Sequence, residues 1–113
     1  MNPQIKTRFQ ELKVTGQRGT LSLEEKKCKD LALIEYLQSL IANKEVTDFE
    51  DIGFCYWNIS DNYALLRDGH ALQKNHQAFY EHIIARDKSY LYWLVCDATQ
   101  RLTLEVDGYS EWW

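Results

Sequence analysis

The stretch CYWNISDNYALLRDGHAL, from Cys55 to Leu72, decides the fold. Part of it returns as LYWLVCDATQRLTLEVDGYS, from Leu91 to Ser110. In both stretches a Tyr-Trp pair is followed by Asp four residues after the Trp, and later by Asp-Gly. The two Tyr-Trp pairs lie 36 residues apart (from 56 to 92), a period typical of helical repeat proteins. The recurrence therefore predicts two copies of one helical unit.

The apolar residues of the first copy recur with the period of an α-helix. Their spacings alternate between three and four residues, which places them on one helical face. The stripe consists of Phe49, Ile52, Tyr56, Ile59, Tyr63 and Leu66. Thr47 and Glu50 have the spacing of a capping box and predict the start of this helix. Asp68-Gly69 predicts its end, with Gly69 at positive φ.

Helices are also predicted on both sides of this stripe. Asn2-Pro3 predicts the N-cap and first residue of a short helix, which ends in the linker VTGQRGT. Ser22 and Glu25 form a second capping box, before a helix that ends near Asn43. Two further apolar stripes mark this helix and one that runs to about Arg86; they consist of Leu31, Ile34, Leu37 and Ile41, and of Leu72, His76, Phe79 and Ile83. The predicted core is Ile34, Leu37, Ile52, Tyr56, Ile59, Tyr63, Phe79, Ile83 and Leu94.

The last part of the chain allows two interpretations. Leu91, Leu94 and Val95 predict the start of another helix. In RLTLEVDGYSEWW, however, apolar and polar residues alternate, and Asp107-Gly108 is a strong signal for a hairpin turn. The helical interpretation extends the first copy to the second. The alternative is an α-helical bundle with a C-terminal β-hairpin.

The repeated residues resemble a degenerate tetratricopeptide repeat, a hairpin of two helices about 34 residues long. The family's large and small positions in its first helix match Tyr56, Ile59, Ser60 and Tyr63, and in the second copy Tyr92, Val95 and Cys96, with Thr99 where the family has Tyr. The resemblance covers residues 54–108. It implies an all-α fold of helical hairpins, stacked as a short solenoid or right-handed array over residues 20–113. Residues 1–19 are then a short N-terminal helix and a linker.

The chain ends on Trp112-Trp113, which is unusual for such an array. An α-solenoid normally ends in a capping helix with a polar outer face. Either the protein continues beyond Trp113, or a closing hairpin packs these two side chains onto the bundle.

Composition excludes several classes of function. The net charge is −4 and the basic residues are scattered, so no nucleic-acid surface is expected. No apolar run approaches the roughly 18 residues of a membrane span, and the N-terminus has no apolar signal sequence. Three widely spaced cysteines form no disulfide framework. We therefore expect a cytoplasmic protein with reduced thiols.

Residues that could carry chemistry are few. No P-loop, GxSxG or GxGxxG motif is present, and the three histidines lack the spacing of zinc ligands. We expect no cofactor and no metal. Cys55 is interpreted as a small core residue and His76 as a hydrogen-bonded core histidine. The alternative is an enzyme or small-ligand protein of another helical fold, with His76 in a buried pocket.

The repeated Trp-x-x-x-Asp is the candidate site. Residues four apart share a helical face, here about 100° from the apolar stripe. In tetratricopeptide arrays the corresponding face lines the ligand groove, so the resemblance implies a peptide-binding site formed by Trp57, Asp61, Trp93, Asp97 and Arg101. The function implied is a non-catalytic module that binds a protein or peptide partner. The simpler alternative, which is the more common outcome, places both Trp residues in the core and both Asp residues in solvent. A third possibility is a regulatory domain that acts on another domain.

Overall fold

The computed structural model describes residues 1–13 and 18–84. In order, its helices are α1 (Pro3–Leu12), α2 (Leu23–Ala42), α3 (Phe49–Leu65) and α4 (Gly69–Phe79). A 3₁₀ turn, Arg18–Thr20, precedes α2, and a π-helical turn, Tyr80–Ile84, continues α4. Within these described ranges every regular element is helical, which confirms the all-α prediction. The second copy, Leu94 and the possible hairpin at Asp107-Gly108 lie outside them.

The central helix is α3, which packs against α2 on one side and α4 on another. Two clusters of buried side chains result. The larger joins α1, α2, the connection after α2, and α3; it consists of Ile5, Leu33, Ile34, Leu37, Leu40, Val46, Cys55 and Ile59. The smaller joins α3 to α4 and the π-helical turn, and consists of Tyr56, Phe79 and Ile83. Burial of these apolar surfaces is the main favourable term that holds the helices together.

Most of the predicted core is buried. Ile34, Leu37, Tyr56, Ile59, Phe79 and Ile83 are buried, whereas Ile52 and Tyr63 are half-buried. Leu31 is wrong as a member of the α2 stripe, because it is 54 % exposed. At about 100° per residue, Leu33, Leu37 and Leu40 lie to one side of Ile34 and Leu31 to the other. The buried arc of α2 therefore lies on the side of Ile34 away from Leu31. Phe49, the first residue of the α3 stripe, is also exposed.

Two of the three predicted helix starts are confirmed. The Asn2 side chain accepts a hydrogen bond from the Gln4 amide, with Pro3 at the first helical position. Ser22 and Glu25 form a complete capping box. The predicted box at Thr47 is wrong, because Asp48 occupies the N-cap of α3 and makes no capping bond with its side chain. The negative charge that α3 places in its first turn suits the positive end of the helix dipole.

The helix ends differ from prediction in where the left-handed residue lies. At the end of α3 the residue at positive φ is Arg67 (φ 58°), not Gly69, which is the first residue of α4. Lys44 (φ 55°) has the same place after α2. At both ends two amides bond back to carbonyls of the last turn, as in a Schellman motif, for example Asp68 N to Tyr63 O at 3.1 Å. These bonds offset the cost of a left-handed residue with a Cβ.

Ile59 tests the core of α3, because it is only 1 % exposed and lies in the larger cluster. We expect Ile59→Ala to lower the free energy of unfolding by roughly 2–5 kcal/mol, since the change leaves a cavity. Leu65→Ala, on the same helix at an exposed position, is the control and should shift it by about 0.5 kcal/mol or less. Urea unfolding followed by circular dichroism measures both. Equal effects of the two changes would contradict this packing.

Candidate functional site

Trp57 and Asp61 lie one turn apart on α3, as predicted. Trp57 is 41 % exposed, so it is a surface residue and does not belong to the core. Asp61 is half-buried beside it. The other three residues of the predicted site, Trp93, Asp97 and Arg101, lie outside the described residues. The structure therefore places the first Trp–Asp pair on the surface, and the pairing of two such units stays a prediction.

Two more apolar side chains share the side of α3 that carries Trp57. Phe54 and Leu65 are exposed, and with Trp57 and Asp61 they follow the spacing 3, 4, 4 of one helical face. We call these four residues the Trp57 face. Contiguous exposed apolar side chains are a feature of interaction surfaces.

The charge on α3 is of one sign. The helix carries three carboxylates, those of Glu50, Asp51 and Asp61, and contains neither Lys nor Arg. Together with the exposed ring of Trp57, this charge suits a cationic partner, because carboxylates attract ammonium and guanidinium groups and an indole face binds them by cation–π contact.

Buried hydrogen bonds hold α4 against one flank of α3. The Asn75 side chain donates to the Tyr56 carbonyl at 3.0 Å and to the Ser60 hydroxyl at 2.7 Å. Ser60 has no exposed surface, and its small side chain lets the two helices approach closely. The Tyr56 ring also packs against Phe79, with ring centroids 5.4 Å apart. These contacts fix the rotation of α3 relative to α4.

Residues of α1 hold the opposite flank of α3. The rings of Phe9 and Phe54 meet edge to face, with centroids 4.9 Å apart. The Lys13 ammonium donates to the Asn58 side-chain oxygen at 2.9 Å. Asn58 in turn donates to the Phe54 carbonyl at 2.9 Å. The Trp57 face therefore lies between a flank bound to α1 and a flank bound to α4.

Sequence reasoning missed Phe54, Asn58 and Asn75. A signal for the two asparagines was present, since Asn is a poor helix former whose side chain competes for backbone hydrogen bonds. Asn in the interior of an amphipathic helix therefore indicates a specific buried bond. For Phe54 there was no such signal, because its contact with Phe9 joins two distant parts of the chain.

Cys55 is buried, with no exposed surface, as predicted for a core residue. Burial, and secondarily the nearby Asp51 carboxylate, raises the pKa of the Cys55 thiol to about 12. The thiol is therefore protonated at neutral pH and is not a nucleophile. Cys28, on α2, is exposed.

The alternative function, an enzyme or small-ligand protein, places His76 of α4 in a buried pocket. His76 is 6 % exposed and lies on the buried stripe with Leu72 and Phe79, as the spacing predicted.

Within residues 1–13 and 18–84, no group of three or more His, Cys, Asp or Glu side chains could hold a metal ion. None of the helices described is long and apolar enough to cross a membrane.

No protein-family model matches the chain, and neither the curated proteins nor the solved structures contain a significant match to it. The resemblance to tetratricopeptide repeats therefore stays a prediction from the sequence.

Asn75→Ala tests the junction of α3 and α4. We expect it to lower the free energy of unfolding by about 2 kcal/mol, because it removes two buried hydrogen bonds, each worth about 1 kcal/mol. Gln73→Ala, at an exposed position of the same helix, is the control and should change stability by about 0.5 kcal/mol or less. Chemical denaturation of both variants makes the comparison, and a neutral Asn75→Ala would show that this junction is not stabilising.

Cys55 also predicts how stability depends on pH. Because burial raises the pKa of this thiol from 9.0 to about 12, the folded protein keeps a proton that the unfolded chain releases. This contribution is fully present below pH 9 and is lost as the pH rises towards 12. The raised pKa values of Tyr36 and Tyr56, each due mainly to burial, act in the same direction.

Urea unfolding between pH 8 and pH 11 should therefore give a free energy of unfolding that falls with pH. In the Cys55→Ala variant the fall should be less steep, whatever the variant's stability at pH 8. Parallel curves for the variant and the wild type would contradict the assignment.

Proposed function

We propose that this chain is a non-catalytic interaction module, tetratricopeptide-like in its stacked helical hairpins, that binds an extended basic peptide or a partner helix on the Trp57 face. The observation that carries the proposal is the exposure of Trp57 beside Asp61 on the central helix. Trp, with Tyr and Arg, is one of the residue types that most often dominate the binding energy of protein interfaces.

The rigidity of α3 supports the proposal. The helix is fixed by packing against α2 and by the bond from Asn75 of α4, so its backbone is in place before a ligand arrives. A face that is already ordered loses less conformational entropy on binding. The ring of Trp57 adds a large contact area with only two side-chain torsions to restrain.

The charge of the face indicates the class of ligand. α3 carries three carboxylates and no basic residue, and the Met1 ammonium lies 3.5 Å from one of them, Asp51. The net negative charge that is left attracts a cationic peptide over several ångströms before contact. Asp61 offers an acceptor for Lys, Arg or a peptide amide, and Trp57 offers an apolar platform one turn away. A peptide with alternating basic and aromatic residues matches both.

The buried junction of Ser60 and Asn75 supports the helical-hairpin part of the proposal. Ser60 matches the small position of the tetratricopeptide pattern, and it lies where α4 approaches α3. The helices α2, α3 and α4 also pack on their neighbours in sequence, as they do in such arrays. In that family the ligand groove is lined by the first helix of each hairpin, which here is α3.

Substitution of Trp57 and Asp61 tests the function, with a fluorescent Lys- and Arg-rich peptide that carries one aromatic residue as the probe. We expect Trp57→Ala to weaken binding about 30-fold, which corresponds to about 2 kcal/mol for an anchor residue. Asp61→Asn should weaken binding less and reduce its dependence on salt. Glu35→Gln, which removes the same charge from an exposed site on α2, is the control and should bind like the wild type. Titrations at two salt concentrations supply these values.

Both variants should remain folded, since a change at an exposed site such as Trp57 usually shifts stability by about 0.5 kcal/mol and Asp61→Asn keeps the size of its half-buried side chain. If Trp57→Ala unfolds at room temperature, Trp57 serves packing and the proposal is wrong. The proposal is also wrong if the wild type does not bind the probe.

A further inference from the structure

The N-terminal segment that contains α1 carries a net positive charge, whereas the side chains of α3 carry a net negative charge. Residues 1–13 carry three cationic side chains, those of Lys6, Arg8 and Lys13, and one carboxylate, that of Glu11. This basic segment packs against α2 and reaches the acidic helix α3 through the side chains of Phe9 and Lys13. Its composition, two aliphatic residues and one Phe among cations, is the composition that the Trp57 face is proposed to bind.

The contacts that α1 and its C-cap residue Lys13 make with α3 use an aromatic ring and a cation, the same two groups that the Trp57 face is proposed to bind. Phe9 places its ring edge to face with Phe54, itself a member of the Trp57 face. The Lys13 ammonium lies 5.3 Å from the centre of the Phe9 ring and donates to Asn58. An aromatic ring and a cation of α1 therefore act together on one edge of α3.

The register of these contacts links them to the Trp–Asp pair. Phe54 precedes Trp57 by three residues, and Asn58 precedes Asp61 by three, so each contact of α1 is adjacent on the helix surface to one member of the pair. A bound peptide that used the whole Trp57 face would need the space beside Phe54 that Phe9 occupies.

The contacts that hold α1 to the rest of the protein are few, and they include the Met1 ammonium, 3.5 Å from the Asp51 carboxylate of α3. Helix α1 has ten residues, and among them Ile5 is the one that the structure shows as buried, while Phe9 and Leu12 are half-buried. A helix of this length is marginal without tertiary contacts. Its internal ion pair, Arg8 to Glu11 at 3.1 Å, is exposed and adds little.

We infer that α1 is an intramolecular ligand, a basic strap that occupies the Phe54 edge of the Trp57 face and detaches when an external peptide takes the whole face. The inference rests on the proposed function, because it assigns the same face and the same class of ligand. An external peptide then binds with an apparent Kd equal to its intrinsic Kd divided by the fraction of molecules in which α1 is detached. Any change that weakens docking of α1 should therefore tighten binding of the peptide.

The test uses the full chain and two labelled probes, a synthetic peptide of residues 1–13 and the Lys- and Arg-rich peptide described above. Phe9→Ala combined with Lys13→Ala removes the contacts with Phe54 and Asn58 and leaves the Met1 ammonium beside Asp51. We expect this double variant to bind both probes about tenfold tighter than the wild type does. Lys6→Ala, which removes a charge from the same helix at an exposed position, is the control and should match the wild type.

A second variant separates the contacts from the helix that presents them. Thr7→Pro keeps Phe9 and Lys13 but disrupts α1 from within, at an exposed position. It should also tighten binding of both probes. Hydrogen exchange should show loss of protection in residues 6–13 of both variants, with α3 around Ile59 protected as in the wild type.

The outcomes separate the two proposals. If the basic peptide binds the wild type and the variants equally, the strap is wrong and the proposed function stands. The same conclusion follows if α3 loses protection together with α1, because α1 then does not detach on its own. If no form of the protein binds either probe, the proposed function is wrong. The inference that α1 competes with an external peptide is then wrong as well.

Discussion

Four consecutive residues of α3 face four different surroundings, and the rest of the structure follows from that constraint. Cys55 packs in the cluster shared with α2, Tyr56 packs against Phe79, Trp57 faces outward, and the Asn58 side chain binds Lys13 of α1. Because each residue turns the helix by about 100°, four in a row cover a full circle. A helix used in this way cannot rotate by one residue without breaking three interfaces at once.

The sequence determines the elements of this fold more clearly than it determines their surroundings. The caps at Asn2 and Ser22 and the stripe through Tyr56 and Ile59 are local, so a pattern within one helix reveals them. The prediction that Leu31 is buried was wrong because the apolar residues of α2 fit two overlapping arcs of the helix. The packing of α2 against α1 and α3 decides which arc is buried. The prediction of Gly69 as the left-handed residue was wrong for another reason. The backbone hydrogen bonds at the end of α3 stabilise a left-handed residue with a side chain, Arg67, where glycine is the usual choice.

The candidate site shows the same division. The spacing alone placed Trp57 and Asp61 on one face of α3. Their exposure depends on which parts of the α3 surface are covered by α1 and α4. The edges of that face are set by Phe9 against Phe54 and by Asn75 against Ser60, and each pair joins distant parts of the chain. Asn58 and Asn75 stand out in the sequence as poor helix formers, but their bonding partners are visible only in the fold. The acidic character of α3 and the basic character of α1 can be read from the sequence, but the contact between them is visible only in the fold.

Asp68 belongs to two helices at once. Its amide closes the last turn of α3 by bonding to Tyr63, and its carboxylate opens α4 by accepting from the Ala71 amide at 3.1 Å. Fraying at the end of α3 would therefore withdraw the cap from α4, and loss of the α4 cap would loosen the end of α3. The end of α3 and the start of α4 are therefore coupled through one residue.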